Sequence, residues 1–117
     1  MVDLGKIQAD VYQNKVDKGK IQADVYQNKV DKGFNVIDVD KEFCFLYGEV
    51  AKAYEAYRKK KDDLVEDLAD VMIYLLGLSE ILGIDLAEEL LHKVEKNKHR
   101  EYKLINGVNI RVKDGEA

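Results

Sequence analysis

The spacing of apolar residues constrains the fold of this chain more than any other feature. Between residues 41 and 60 apolar side chains recur at steps of three and four, and the same period runs from Leu64 to Leu82. Such spacing is typical of amphipathic α-helices that bury one face. The buried stripes are expected to consist of Phe43, Leu46, Val50, Ala53 and Tyr57, and of Leu64, Leu68, Val71, Leu75, Leu78 and Leu82.

Capping residues predict where these helices begin and end. Asp40 is expected to cap a helix over about residues 41–60, and Gly83 to end the next helix near Leu82. Asp85, with Glu88 three residues later, resembles a capping box and predicts one more helix that runs to about residue 101.

The C-terminal residues favour a different structure. Asn106-Gly107 lies between two segments of alternating apolar residues, which is a strong signal for a β-hairpin. The predicted fold class is therefore all-α, a four-helix bundle with a short C-terminal β-hairpin. The hairpin tail is expected to cover residues 102–117.

The N-terminal region contains an identical repeat. Residues 5–18 and 19–32 both read GKIQADVYQNKVDK, which indicates a recent or engineered tandem duplication. Fourteen residues fall only about 40° short of four helical turns, so a continuous helix could gain one copy and nearly keep its apolar face. Alternatively Gly19 breaks the helix, as Gly33 is expected to do. The domain boundaries predicted from this repeat are 1–18 for the extra segment and 19–105 for the helical domain.

Size and charge restrict the partners of the chain. Its 117 residues predict one domain with a thin core, and several helix faces are apolar on two sides, which favours a homodimer or homotetramer. A net charge of −4 gives no general attraction to nucleic acid or to an anionic membrane. No apolar stretch approaches the roughly 20 residues that span a bilayer, so we expect a cytoplasmic protein. Cys44 is expected to be a packed thiol.

Three acidic residues lie beside the apolar stripes. Glu49 is on the second predicted helix, whereas Asp67 and Asp70 lie three residues apart on the third and face the same way. Two antiparallel helices would bring all three into one cleft. Because unpartnered buried carboxylates are costly, a hard cation such as Mg²⁺ would explain them.

These acids belong to longer motifs. The motifs are Gly48-Glu49-Val50-Ala51-Lys52, then Glu66-Asp67-Leu68-Ala69-Asp70-Val71, then Lys93-x-x-Lys96-Asn97-x-x-Arg100. With the Gly-Ile-Asp turn at residues 83–85, they resemble the MazG-like nucleotide pyrophosphohydrolases, and among these the dCTPase-type members. The resemblance covers about residues 19–105.

The resemblance implies a MazG-like helical bundle and a metal-dependent activity. In that family two carboxylate pairs, E-x-x-E and E-x-x-D, bind Mg²⁺ or Mn²⁺. The metals hold a nucleoside triphosphate and activate water, which releases a monophosphate and pyrophosphate. By position Glu49, Asp67 and Asp70 would be metal ligands, and Glu66 would join them in the catalytic set. The implied role is the removal of unwanted nucleotides.

Lys52 departs from the family pattern, because it stands where the second glutamate is expected. Three interpretations follow. Lys52 contacts phosphate directly in place of a metal, or the enzyme works with fewer metals and help from Glu66 or Glu55, or the chain binds nucleotides without hydrolysing them.

The fourth helix carries further candidates for substrate binding. Lys93, Asn97 and Arg100 fall on one helical face, and the resemblance implies that they contact the phosphates or the base. The alternative is a solvated basic face near a helix C-terminus. Phe34 and Tyr47 are candidates for stacking on the base, although core packing explains both equally well.

Two other functions compete with hydrolysis. Glu89-x-x-His92 is the unit that builds di-iron sites in helical bundles, but such sites need two units and the sequence has one. A non-catalytic helical interaction module is the stronger rival. It accommodates Lys52 without strain and predicts neither metal dependence nor nucleotide affinity.

Overall fold

The computed structural model describes residues 19–115, which form four helices and one hairpin. Helix α1 covers residues 19–31, followed by α2 (Val39–Arg58), α3 (Leu64–Ile81), α4 (Leu86–His99), β1 (Arg100–Ile105) and β2 (Val108–Asp114). The described residues divide into two compact units, one up to Asp85 and one from Leu86 onwards. The predicted helical bundle with a C-terminal hairpin is confirmed. The first copy of the repeat and the predicted segment 1–18 lie outside the described residues.

Helix α1 ends at the glycine that follows the second copy of the repeat. Gly33 has a φ of 72°, and its backbone N–H donates to the Val30 carbonyl at 3.1 Å. The Phe34 N–H reaches back to the Lys29 carbonyl at 2.9 Å. This pair of bonds is the Schellman ending that favours glycine, because a side chain would be strained at positive φ. The predicted break at Gly33 is confirmed.

Helix α2 begins two residues earlier than predicted. Its N-cap is Asp38, whose side chain accepts a hydrogen bond from the Lys41 backbone N–H at 3.1 Å. The Asn35 side-chain oxygen accepts from the Asp38 N–H at 3.0 Å, which holds Asp38 in an extended conformation. The prediction of Asp40 as the cap is therefore wrong. Asp40 lies inside the first turn, where its negative charge still favours the positive end of the helix dipole.

Helices α2 and α3 run antiparallel. Lys52 lies against Asp67, and seven residues earlier on α2, Phe45 packs against Tyr74, which is seven residues later on α3. The link between the two helices spans residues 59–63. Within it Lys60 adopts a φ of 54°, and the Lys61 N–H donates to the Ala56 carbonyl at 2.9 Å. The link therefore makes a glycine-type helix ending with a lysine in the left-handed position.

Buried polar side chains attach α1 to the other two helices. Lys29 forms an ion pair with Glu42 of α2, and both side chains are almost fully buried. Gln22, which is 4% exposed, donates to the Ile84 carbonyl at 2.6 Å and to Glu80 at 2.8 Å. A β-carbon on Gly77 of α3 would lie 3.0 Å from the Lys29 side chain. A side chain at this position would therefore require the buried Lys29 side chain to shift.

The apolar stripes are only partly buried in the single chain. Ala53 and Leu78 are in the core, but Tyr57 is 66% and Leu68 is 56% exposed. Cys44 is exposed, so the predicted packed thiol is wrong. The reason is its place on α2, where the neighbouring phenylalanines are also well exposed. Assembly into a dimer or tetramer stays a prediction, which these apolar faces support and which light scattering of the purified protein would test.

The C-terminal unit ends in a two-stranded antiparallel sheet. Asn106 and Gly107 form its two-residue turn, both at positive φ, as a type I′ turn requires. Strand β1 begins at Arg100 instead of residue 102, because Arg100 pairs with Asp114 and its side chain donates to the Asp114 carbonyl at 3.0 Å. None of the helices in residues 19–115 combines the length and apolarity needed to cross a membrane.

The buried pair at the junction of α1 and α2 gives a test of the fold. We expect Glu42→Gln to lower the free energy of unfolding by about 3 kcal/mol, because the Lys29 ammonium would be left buried without a counter-charge. Urea unfolding followed by circular dichroism measures this loss. Asp40→Asn, which neutralises an exposed acid in the same helical turn, is the control and should cost less than about 1 kcal/mol. Equal losses in the two variants would contradict the assigned role of the pair.

Candidate active site

The facing sides of α2 and α3 place Lys52 against Asp67, and Glu49 and Asp70 lie within electrostatic range of this lysine. Asp67 is 4% exposed, and its Oδ1 lies 3.6 Å from the Nζ of Lys52, which is 60% exposed. The carboxylates of Asp67 and then of Glu49 raise the pKa of Lys52, and Asp70 adds to the effect. Lys52 therefore stays positively charged at neutral pH among three acids. A common cleft for all three acids stays a prediction; the contact that joins the two helices here is that of Lys52 with Asp67.

Glu49 carries the least satisfied atom in this cluster. Its Oε2 is buried and has no hydrogen-bond partner among the described residues. An unpartnered buried carboxylate oxygen is expensive, so native proteins usually supply it with a hydrogen bond or a cation. The atom therefore points to a ligand that would complete the site.

Tyr74, one helical turn after Asp70, is a further residue at this site and lies outside the motifs identified in the sequence. Burial raises the pKa of the Tyr74 phenol, and the nearby carboxylates of Glu49, Glu42 and Asp70 raise it further. The phenol therefore stays protonated and can donate a hydrogen bond to an anion. The spacing of four residues from Asp70 could have indicated this, since such residues share a helical face.

A cavity of about 510 Å³ opens beside the carboxylates, between α1 and α3. Asp70 is part of its wall, and Phe34, at the end of α1, supplies an exposed aromatic ring. Asp24 and Asn28 of α1 also face it and were missed by the sequence analysis, although they lie one helical turn apart. The remaining wall consists of Ile21, Val25, Lys29, Ile73 and Tyr74. The cavity thus combines an apolar wall with a few polar groups, as small-molecule sites usually do.

Two predicted residues do not join the cavity. Tyr47 is 71% exposed and is not part of the cavity wall. Glu66 is exposed on α3, next to the buried Asp67. Of the two aromatic residues considered for base stacking, only Phe34 is therefore placed beside the cluster of acids.

The predicted basic residues cluster within the C-terminal unit. The Arg100 guanidinium donates to the Asn97 side-chain oxygen at 2.9 Å, and the positive charges of Arg100 and Lys96 contribute to lowering the pKa of Lys93. The expectation that α4 carries all three on one face is corrected, because α4 ends at His99 and Arg100 opens β1. The contact between Arg100 and Asn97 nevertheless keeps the two side chains together.

The three carboxylates have the chemistry of metal ligands, but they are not arranged as a complete metal site. Three carboxylates supply the hard oxygen ligands that Mg²⁺ prefers, and one of their oxygens lacks a partner. Within residues 19–115, however, no three Asp, Glu, His or Cys side chains converge closely enough to hold a metal ion. Three carboxylates and Lys52 carry a net charge near −2, so they attract divalent cations less strongly than four carboxylates would.

Fold and site together define a helical protein with a carboxylate cluster beside a ligand-sized cavity. The sequence profile of the MazG-like family matches residues 35–116, which is more than half of the chain. The chain therefore belongs to the MazG-like family, which indicates a nucleotide pyrophosphohydrolase type of function. Neither a search of curated proteins nor a search of solved structures found a significant match.

The place of Lys52 generates a test of cation binding. We expect Lys52→Glu to bind Mn²⁺ at least about tenfold more tightly than the parent protein, because an ammonium among the acids is replaced by a carboxylate. Titration calorimetry measures the affinity. Lys61→Glu makes the same change of charge in the link between α2 and α3 and should have little effect. If both variants gained affinity equally, the cation would not be binding at this cluster.

Proposed function

We propose that this chain is a nucleoside triphosphate pyrophosphohydrolase that releases a nucleoside monophosphate and pyrophosphate. One observation carries the proposal beyond family membership: a buried Glu49 oxygen lacks a partner close to Lys52, which lies against Asp67 and feels the charges of Glu49 and Asp70. A structural cluster would satisfy that oxygen internally, whereas a binding site leaves it for the ligand. The biological role would be the removal of unwanted nucleotides.

Mg²⁺, or Mn²⁺, is the cofactor we propose for this site. Glu49, Asp67 and Asp70 would hold it, because they offer hard oxygen donors on facing helices. When bound, the metal would neutralise phosphate charge and make water a stronger nucleophile at neutral pH. Its binding would compete with Lys52 for Asp67, which explains why we expect fewer metal ions than a cluster of four carboxylates would take.

Lys52 is proposed to contact the phosphates directly. Its side chain is 60% exposed and its ammonium is held charged by the surrounding acids. A triphosphate that enters the cluster brings several negative charges next to carboxylates, so a fixed cation lowers the repulsion. Lys52 thereby performs part of the work that a second metal would perform.

The reaction needs water to attack the α-phosphorus and break its bond to the bridging oxygen, so that pyrophosphate leaves. The attacking water must lose a proton, and Glu66, which is exposed next to Asp67, is the proposed acceptor; Glu55, the alternative, is already paired with Lys59. Tyr74, which stays protonated, would orient a phosphate oxygen by donating a hydrogen bond.

The cavity next to Asp70 is the proposed site of the base. Its volume of about 510 Å³ is in the range of small-molecule pockets. Phe34 would stack on the base, and Asn28 and Asp24 would form hydrogen bonds to its edge. In the C-terminal unit, Lys93, Asn97 and Arg100 are proposed to bind the substrate as well, because their clustered positive charge suits phosphate.

A catalytically inactive nucleotide-binding or interaction module is the second candidate. It is favoured by Lys52, whose ammonium lies 3.6 Å from Asp67, and by the lack of three converging metal ligands in residues 19–115. In this case the acids and Lys52 neutralise one another, and nucleotides bind without being hydrolysed. The two candidates differ in one measurable property, the release of pyrophosphate.

We expect the purified protein to release pyrophosphate from one or more triphosphates in a panel of canonical and modified dNTPs, only when Mg²⁺ is present. Asp70→Asn should reduce the rate by about a hundredfold or more, because charge on the reacting phosphates would be less well stabilised. Asp62→Asn, which neutralises an acid in the link between α2 and α3, is the control and should keep the parent rate. A parent protein that is silent, together with a silent Lys52→Glu variant, would favour the inactive module.

The base site gives a separate prediction. Phe34→Ala should raise KM by about fivefold or more with little change in kcat, because stacking of a base on an aromatic ring is worth about 1–3 kcal/mol. Steady-state kinetics with the preferred nucleotide measures both constants. Tyr47→Ala removes an exposed aromatic outside the cavity and should leave KM unchanged. A KM that rises only in the Tyr47 variant would place the base elsewhere.

A further inference from the structure

Helix α1 occupies a groove whose contacts are specific. The groove is formed by Glu42 of α2, Gly77 and Glu80 of α3, and the Ile84 carbonyl, and it holds residues 19–32. Three side chains of α1 enter it. Lys29 pairs with Glu42, Gln22 donates to Ile84 and Glu80, and Val25 packs beside Gly77.

The repeat supplies every one of these side chains twice. Residues 8, 11 and 15 are glutamine, valine and lysine, at the same positions in the first copy as Gln22, Val25 and Lys29 in the second. The glycine that follows each copy is duplicated too. Gly19 follows the first copy as Gly33 follows the second, and Gly33 is the residue that ends α1 at positive φ. The groove therefore meets the same 14 side chains in either copy, and a glycine follows each copy; in this structure Gly19 lies within α1.

We infer that residues 5–18 are a second occupant of this groove, so that the chain exchanges between two registers of its first helix. In one register residues 19–32 fill the groove, as in this structure. In the other register Lys15 pairs with Glu42, Gln8 meets Ile84 and Glu80, and residues 19–32 become part of the connection to α2.

The two registers are close in free energy because each leaves one copy in the groove and one copy outside it. They differ mainly in the connection, since adding the 14 residues of one copy to the 12 residues between Lys29 and Glu42 roughly doubles its length. Doubling a flexible loop disfavours its closure by about threefold. Asn35, which accepts from the Asp38 N–H and donates to Glu42, keeps its place in both registers.

The exchange changes the cavity at one position. Ile21, Asp24, Val25, Asn28 and Lys29 of its wall are replaced by identical residues of the first copy. Phe34, which follows Gly33, is replaced by Lys20, which follows Gly19. The second register therefore exchanges the aromatic ring at this cavity for a positive charge.

Thiol labelling tests the inference in the full chain. Cys44 is the single native cysteine and is exposed, so Cys44→Ser removes the background. Val25→Cys and Val11→Cys then report the two copies separately. We expect the thiol at position 25 to react slowly and the thiol at position 11 to react quickly. Adding Lys29→Ala leaves Glu42 without its partner in the first register and should reverse this order, with each rate changing by about tenfold or more.

The first copy of the repeat supplies the control for this experiment. Lys15→Ala removes the equivalent lysine of the first copy and should leave both labelling rates unchanged. If Lys29→Ala exposed position 25 without protecting position 11, or changed neither, only residues 19–32 would fit the groove and the inference would be overturned.

A second measurement does not need the cysteines. Urea midpoints should stay near the parent value in either lysine variant and fall sharply only in the double variant, whereas additive losses would overturn it.

Discussion

The ion pair between Lys29 and Glu42 is the interaction on which the N-terminal unit depends. It connects α1 to α2 across a loop of seven residues, and both partners are almost fully buried. Glu42 also accepts from Asn35, and the Lys29 ammonium lies 4.9 Å from the centre of the Tyr74 ring. Charges buried in this way stabilise a fold only when they are paired, so the position of α1 is restricted to those registers that place a lysine opposite Glu42. The wall of the cavity follows from that restriction.

The candidate active site also contains an ion pair, but this pair is more exposed to solvent. Lys52 is mostly exposed, so its pair with Asp67 adds little stability and mainly sets the local charge. Glu49 keeps an unpartnered oxygen a short distance away along the helix. The result is a cluster that is partly neutralised before any ligand arrives. Under the proposed function, such a cluster would favour ligands that bring both negative phosphates and positive counter-ions, since either alone would meet a like charge.

The sequence predicted the helices well because their signals are local. Glycines at 33 and 83 and the Asn106-Gly107 turn act within a few residues, and each lies where it was predicted. The cap of α2 was predicted at the wrong residue, because capping preference alone does not distinguish Asp38 from Asp40. The hydrogen bond between Asn35 and Asp38 decides between them. Burial was predicted less well, since a stripe of apolar residues shows only that some partner could cover it. In this chain several of those side chains remain exposed.

The site was predictable in part for the same reason. The spacing of Asp67 and Asp70 fixes their common face, and the family resemblance associated them with Glu49. The environment of Lys52 and the cavity beside Phe34 depend on how three helices meet, and charged residues such as Lys29 are not expected in a core. A polar side chain that is buried because it pairs with a residue far along the chain produces no periodic pattern in the sequence.

The link between α2 and α3 has a consequence for how such a site can change over time. Lys60 holds a left-handed conformation, which costs a non-glycine residue roughly 1–2 kcal/mol. This residue stands between the helix of Glu49 and Lys52 and the helix of Asp67 and Asp70. An insertion or deletion there would change how the two helices are positioned against each other and separate the charges without altering any of them. The geometry of the cluster thus depends on a surface turn. Sequence changes in that turn are a route by which related proteins could acquire a different ligand.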